Sequence, residues 1–100
     1  MFEDLMGNLE QQQAEMHKKL AQFPVTVQMQ GITVSGNATK TVTNILVSQE
    51  MIDSRDKEML EDLLLTAVNR FIEEAVQVES REAQNMMSGM LPPGFGDMFK

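Results

Sequence analysis

The chain has 100 residues, enough for one domain with a modest core, and it has no cysteine for disulfides or thiolate metal sites. Fifteen acidic residues outnumber eight basic ones, and the net charge of −7 argues against a protein coated in basic charge for phosphates. No apolar run approaches the roughly 18 to 20 residues needed to cross a bilayer, and the N-terminus lacks the basic and apolar regions of a signal peptide. We therefore expect a soluble, cytoplasmic protein that does not enter membranes.

Residues 2–22 predict a first helix. Its apolar positions alternate steps of three and four and stop before Pro24; they are Phe2, Leu5, Leu9, Met16 and Leu20. Gln12 and Gln13 stand at the missing position, so the seam resembles a coiled coil that is weakened in its middle. If continuous, this helix is about 30 Å long.

Residues 25–47 change to the two-residue period of β-strands and are rich in Val, Ile and Thr. Gly31 interrupts the first run as a bulge, a bend or a short turn, and SGNATK at 35–40 predicts a hairpin turn. The third strand, residues 41–48, ends in Ile45-Leu46-Val47, which is apolar on both faces. Because two helices on one face of a small sheet would leave the other face open, a second copy of the chain is the simplest cover.

Residues 49–53 read as a short link, and Asp53, Ser54 or Asp56 can cap the long helix that follows. The apolar stripe of that helix should pack on the sheet; it comprises Leu60, Leu63, Leu64, Ala67, Val68, Phe71, Ile72 and Ala75. The helix could extend to about residue 85, a length of roughly 45 Å that exceeds a small sheet. The expected fold is α+β: helix, three-stranded antiparallel sheet and long helix in one domain, 1–85, then a flexible tail rich in Met, Gly and Pro, 86–100.

Catalysis is poorly supported, because His17 is the only histidine and the common nucleophile–base pairs lack their components. Glu58 and Asp62 share a helix face and could hold a hard cation weakly. A solvated acidic face is the stronger interpretation, by roughly ten to one. We therefore predict a protein that is not an enzyme and has no catalytic, cofactor-binding or metal-binding residues.

The basic residues of the first half are Lys18, Lys19 and Lys40, whereas residues 56–82 hold eight acids and three bases. The three lysines are either phosphate contacts, doubled in a dimer, or ordinary solubilising residues. From one chain alone the second interpretation leads by about three to one, since three lysines give a small electrostatic term.

Three strings resemble the YbaB/EbfC family of bacterial nucleoid-associated proteins. The most specific is DKEMLEDLLLTAVNRFIEEA at 56–75, the second is SGMLPPGF at 88–95, and the third is the hairpin VSGNA at 34–38. The resemblance covers nearly the whole chain. Two features depart from the family: FPVTVQMQGIT before the hairpin is apolar and rich in threonine where many members are rich in Gly and Ser, and the first helix has few lysines.

The resemblance implies a homodimer of tweezers-like shape, with a three-stranded sheet in each subunit and protruding helices. It also implies binding to duplex DNA, localisation to the nucleoid, effects on gene expression and no enzymatic activity. Charge and expected exposure select the candidate DNA contacts Lys18, Lys19, Lys40, Arg70 and Arg81. The candidates for the dimer interface are Ile45, Val47, Leu64 and Phe71. The alternative function is an acidic, dimeric protein-interaction or scaffold module without direct DNA binding, whose partners would use the acidic helix face or the C-terminal tail.

Overall fold

A computed structural model describes residues 2–90 of the chain and the side chains of residues 6–87. The elements in chain order are α1 (Phe2–Ala21), β1 (Pro24–Met29), β2 (Ile32–Asn37), β3 (Thr41–Val47), α2 (Gln49–Asp53) and α3 (Lys57–Met90). The strands form one antiparallel sheet in the order β1-β2-β3. The predicted α+β fold of helix, three-stranded sheet and long helix is therefore confirmed.

Several predicted boundaries differ from those of the structure. Residues 49–53 form the short helix α2 and not a link, because the Ser48 hydroxyl accepts a hydrogen bond from Met51 N at 3.2 Å and caps its first turn. Residues 86–90, expected in the tail, continue α3. The rest of the predicted tail, 91–100, lies outside the described residues. At the other end of α3, Asp56 Oδ1 accepts from Met59 N at 3.1 Å, so Asp56 is the cap among the three candidates.

The two hairpins use different turns. Gln30 and Gly31 both have positive φ, 41° and 87°, which is the pattern of a two-residue primed turn between β1 and β2. The second turn is shorter than the predicted 35–40, because residues 35–37 stay in β2 and only residues 38–40 connect the strands. Asn37 Oδ1 accepts from Thr39 N at 3.0 Å within this turn, and Lys40 takes a left-handed φ of 66°.

The core lies between α3 and the face of the sheet formed by alternate residues of β1 and β2. Its fully or nearly fully buried members are Leu20, Val25, Val27, Ile32, Val34, Ala38, Ala67, Phe71 and Val78. Phe71 is the largest of the completely buried side chains, and it packs where Gly36 has no side chain. A Cβ at Gly36 would lie 2.8 Å from Phe71 Cζ and would clash with Thr41 O, so only glycine fits this irregular point of the β2–β3 ladder.

β3 is left largely uncovered, because α3 packs mainly on β1 and β2. Ile45 pairs with Val34 and shares the face that carries the core, whereas Leu46 pairs with Thr33 on the other face. Their exposed fractions are 43% and 57%, respectively. An apolar edge strand of this kind is a favourable site for association with another chain.

Candidate nucleic-acid interface

The end of α1 and the second hairpin turn meet through the backbone of Ala38. Its N–H lies 3.1 Å from both Leu20 O and Phe23 O, so the turn satisfies a carbonyl at the C-terminus of α1. Ala38 itself is completely buried. This junction fixes the last turn of α1, which carries Lys18 and Lys19, beside the turn that carries Lys40.

A single turn of α3 engages two of these lysines. Lys19 Nζ lies 2.7 Å from Glu82 Oε2, and Lys40 Nζ lies 3.2 Å from Glu79 Oε2. Glu82 Oε2 is buried and accepts no geometrically sound hydrogen bond within the described residues, so its contact with Lys19 is ionic and poorly directed. The structure thus brings two predicted DNA contacts from distant parts of the sequence to one place.

The other candidate bases are distributed along α3. Arg81 lies in the same turn as Glu79 and Glu82 but two residues from Glu79, which puts it on the opposite side of the helix. Arg70 is eleven residues before Arg81, three turns along the same side, and both are exposed. We call Lys18, Lys19 and Lys40 the basic corner. Arg70 lies roughly 16 Å from this corner along the helix axis.

Two apolar surfaces lie beside the core of the chain. The first, the β3 patch, follows the edge strand and consists of Val42, Ile45, Leu46 and Val47, with Leu46 on the opposite face of the sheet from Ile45. The second, the α3 flank, consists of Leu65, Ile72 and Val76, all exposed and on one side of the helix by their spacing. Glu79 continues that side, and its ion pair with Lys40 turns the α3 flank towards the β2–β3 hairpin.

The interface candidates occupy different environments. Ile45 is exposed and Val47 is half-buried, both in the β3 patch. Leu64 is half-buried against the core, and Phe71 is completely buried in its own chain. Phe71 therefore has no exposed surface for a partner, because its ring packs against Gly36 inside its own chain. Ile72, expected to face the sheet, is instead 38% exposed in the α3 flank.

The acidic residues of α3 that face away from the sheet are solvated. Glu58, Asp62 and Glu73 are exposed, and Glu61 pairs with Lys57 one turn away at 3.7 Å. Between residues 2 and 90, no three of the described side chains of the metal-ligating types converge into a cation site. Over the same residues, no helix is both long and apolar enough to span a membrane.

Residues 1–90 match the family model described as the YbaB/EbfC DNA-binding family. The chain belongs to this family. A nucleoid-associated protein of Clostridium kluyveri is 35% identical over 86 residues, covering 86% of this chain and 74% of the relative. One from Koribacter versatilis is 34% identical over 94 residues, covering 92% of this chain and 93% of the relative. The predicted family is therefore confirmed.

The fold has a counterpart among solved structures. The crystal structure of an uncharacterized protein from Helicobacter pylori superposes with a TM-score of 0.74 at 17% sequence identity, covering 86% of this chain and 92% of that one. At this identity the likeness concerns the fold alone. The family is named for DNA binding, and both relatives are named as nucleoid-associated proteins.

Sequence reasoning misses the α3 flank. Leu63, Leu64 and Leu65 are consecutive, so their spacing does not show which of them leaves the core. The available signal is the seven-residue step from Leu65 to Ile72, followed by Val76, which forms a second apolar line beside the one that contains Phe71.

Proposed function

We propose that the chain acts as a homodimer that binds duplex DNA in the nucleoid, chiefly through backbone phosphates. This mechanism is supported by the ion pairs that bring Lys19 and Lys40 to one turn of α3. Lys18 lies next to Lys19 in the last turn of α1. An ammonium group is a compact point charge that suits phosphate oxygens and reads little sequence. Binding of this kind gives weak sequence preference, and effects on nucleoid organisation and gene expression would follow from occupancy along the chromosome.

The proposed dimer is supported by the apolar surfaces that one chain leaves exposed. The β3 patch and the α3 flank together present six exposed aliphatic side chains, and a seventh, Val47, is half-buried. A second copy that covers them would remove this area from water, which is the main favourable term in association. Dimerisation would also double the basic corner, so each assembly would present two sets of lysines to one duplex.

The dimer is tested by light scattering after gel filtration at micromolar concentration. We expect twice the chain mass of 11.3 kDa for the wild type and a shift towards the single-chain mass for L46E. Leu46 is outside the core of one chain, so L46E should keep its helical circular dichroism. The matched control T26E adds the same charge at an exposed position of β1 and should remain dimeric. A wild-type mass of one chain would refute the proposed assembly.

DNA binding is tested by fluorescence anisotropy with a short labelled duplex over a range of salt concentrations. If all six lysines of the two basic corners contact a phosphate, the slope of log K against log salt is about −5. K18A/K19A should weaken binding and make the slope shallower. K57A removes a lysine at the start of α3, roughly 30 Å from the corner, and should leave both quantities unchanged. An affinity that does not change between low and high salt would contradict phosphate contacts.

The acidic outer face of α3 favours a second candidate, a dimeric protein-interaction or scaffold module. Glu58, Asp62 and Glu73 are exposed and have no cationic partner within the described part of the chain. The C-terminal tail is the other proposed contact for a protein partner. A chain that retains no duplex DNA even at low salt, yet loses a protein partner when residues 86–100 are deleted, would establish this function in place of the first.

A further inference from the structure

Two lysines of the basic corner, Lys19 of α1 and Lys40 of the hairpin turn, each form an ion pair with a carboxylate of α3. Glu79 and Glu82 lie one turn apart on α3, and each takes one lysine from a different element. Lys18, in contrast, is exposed and has no carboxylate oxygen within 4.0 Å among the described residues. The three lysines of the corner therefore differ in how available their charge is.

The carboxylates and DNA phosphates have the same chemistry towards an ammonium group. A lysine that binds a phosphate must weaken or share its ion pair with glutamate. The free energy of that ion pair therefore reduces the free energy gained on DNA binding. In the Lys40–Glu79 pair both side chains are about half exposed, 43% and 45%, so solvent screens this pair, whereas in the Lys19–Glu82 pair the lysine is 61% exposed and the glutamate only 14%. An exposed pair such as Lys40–Glu79 corresponds to roughly 1.4- to 5-fold in an equilibrium constant.

We propose that Glu79 and Glu82 set the DNA affinity of this chain by competing with phosphate for Lys40 and Lys19. The inference rests on the proposed DNA binding and goes beyond it by naming two acidic residues that limit it. In the free protein the basic corner is partly neutralised. On DNA the two lysines exchange carboxylate for phosphate, and the released glutamates remain close to the duplex as a like charge that opposes it.

The test compares two double variants of the full chain that change the net charge equally. E79Q/E82Q removes the competing carboxylates and keeps the side-chain shape, whereas E58Q/E73Q removes two exposed carboxylates of α3 that hold no lysine within the described residues. Anisotropy with the same labelled duplex should show E79Q/E82Q binding at least about twofold more tightly than E58Q/E73Q at physiological salt. Equal affinities of the two variants, or weaker binding by E79Q/E82Q, would overturn the inference.

A double-mutant cycle shows whether the gain passes through the two lysines. In a K19A/K40A background, the gain in affinity from E79Q/E82Q should be smaller than in the wild-type background, because only the local repulsion by the two carboxylates is then relieved and no lysine is released. A full gain in that background would assign the effect to general charge and refute the competition. The single variant E79Q, with E73Q as control, repeats the comparison at the more exposed pair if the double variant unfolds.

The outcomes separate this inference from the function on which it rests. No duplex binding by the wild type or any variant at low salt would reject both. Binding by the wild type with no difference between E79Q/E82Q and its control would reject only the competition. Binding by E79Q/E82Q with none by the wild type would support both.

Discussion

Replacing Lys40 with glycine should remove one positive charge from the basic corner with little loss of stability. Lys40 has a φ of 66°, a left-handed conformation that costs a residue with a Cβ roughly 1–2 kcal/mol. K40G removes this cost but loses about 0.5–1 kcal/mol through the greater freedom of glycine in the unfolded chain. Loss of the solvent-screened ion pair to Glu79 costs a further 0–1 kcal/mol or so. We therefore expect K40G to stay within about 1 kcal/mol of the wild-type free energy of unfolding.

K40A is the matched comparison, because it removes the same charge and keeps the unfavourable φ. Urea unfolding should place K40A below K40G in stability by up to about 1 kcal/mol. The two variants should nevertheless bind duplex DNA equally, and both more weakly than the wild type at low salt. Each lost phosphate contact makes the slope of log K against log salt shallower by about 0.9, or about 3.5-fold between 50 and 200 mM.

Two results would refute this reasoning about Lys40. If K40A and K40G differ in DNA affinity in proportion to their stability, Lys40 acts through the hairpin and not through its charge. If neither variant changes the salt slope, Lys40 does not contact phosphate.

Three further changes test the fold that supports the corner. G36A should cost more than about 3 kcal/mol of unfolding free energy in urea, because its Cβ would clash with the backbone oxygen of Thr41. The control G7A has open space on α1 and should be neutral or stabilising. Equal urea midpoints for the two variants would show that the bulge at Gly36 relaxes. F71A should cost about 3–5 kcal/mol by the same assay, and a loss below 1 kcal/mol would contradict its place in the core. D56A should cost about 0.5–2 kcal/mol by removing the cap bond to Met59 N, and a neutral result would mean that another group replaces it.

The fold is largely predictable from the sequence because its elements are locally encoded. Three-and-four spacing marks both long helices, alternation marks the strands, and Asp56 caps α3. The exceptions are also local in origin. Ser48 has the sequence context of a strand end, but its hydroxyl accepts from the N–H of Met51, three residues later, and caps α2. Residues 35–37 have the composition of a turn, but they pair with β1 and β3.

The candidate site is less predictable because it depends on where α3 sits over the sheet. Periodicity defines which side of α3 is apolar but not that the helix covers β1 and β2 and leaves β3 open. That placement moves Ile72 out of the core and keeps Phe71 within it. The pairs of Lys19 with Glu82 and Lys40 with Glu79 likewise join residues far apart in the sequence, so no spacing rule predicts them.

The position of each acid matters more for DNA binding than the net charge of −7. At physiological ionic strength the Debye length is about 8 Å, so charges several times farther away are largely screened. Glu58 and Asp62 lie roughly 30 Å or more from Glu82 along α3 and therefore oppose DNA at the basic corner only weakly. Glu79 and Glu82 are in direct contact with the lysines and are not screened in this way. In dilute salt, where the Debye length approaches 30 Å, the distant acids regain their influence, so E58Q alone should tighten DNA binding more at low salt than at physiological salt.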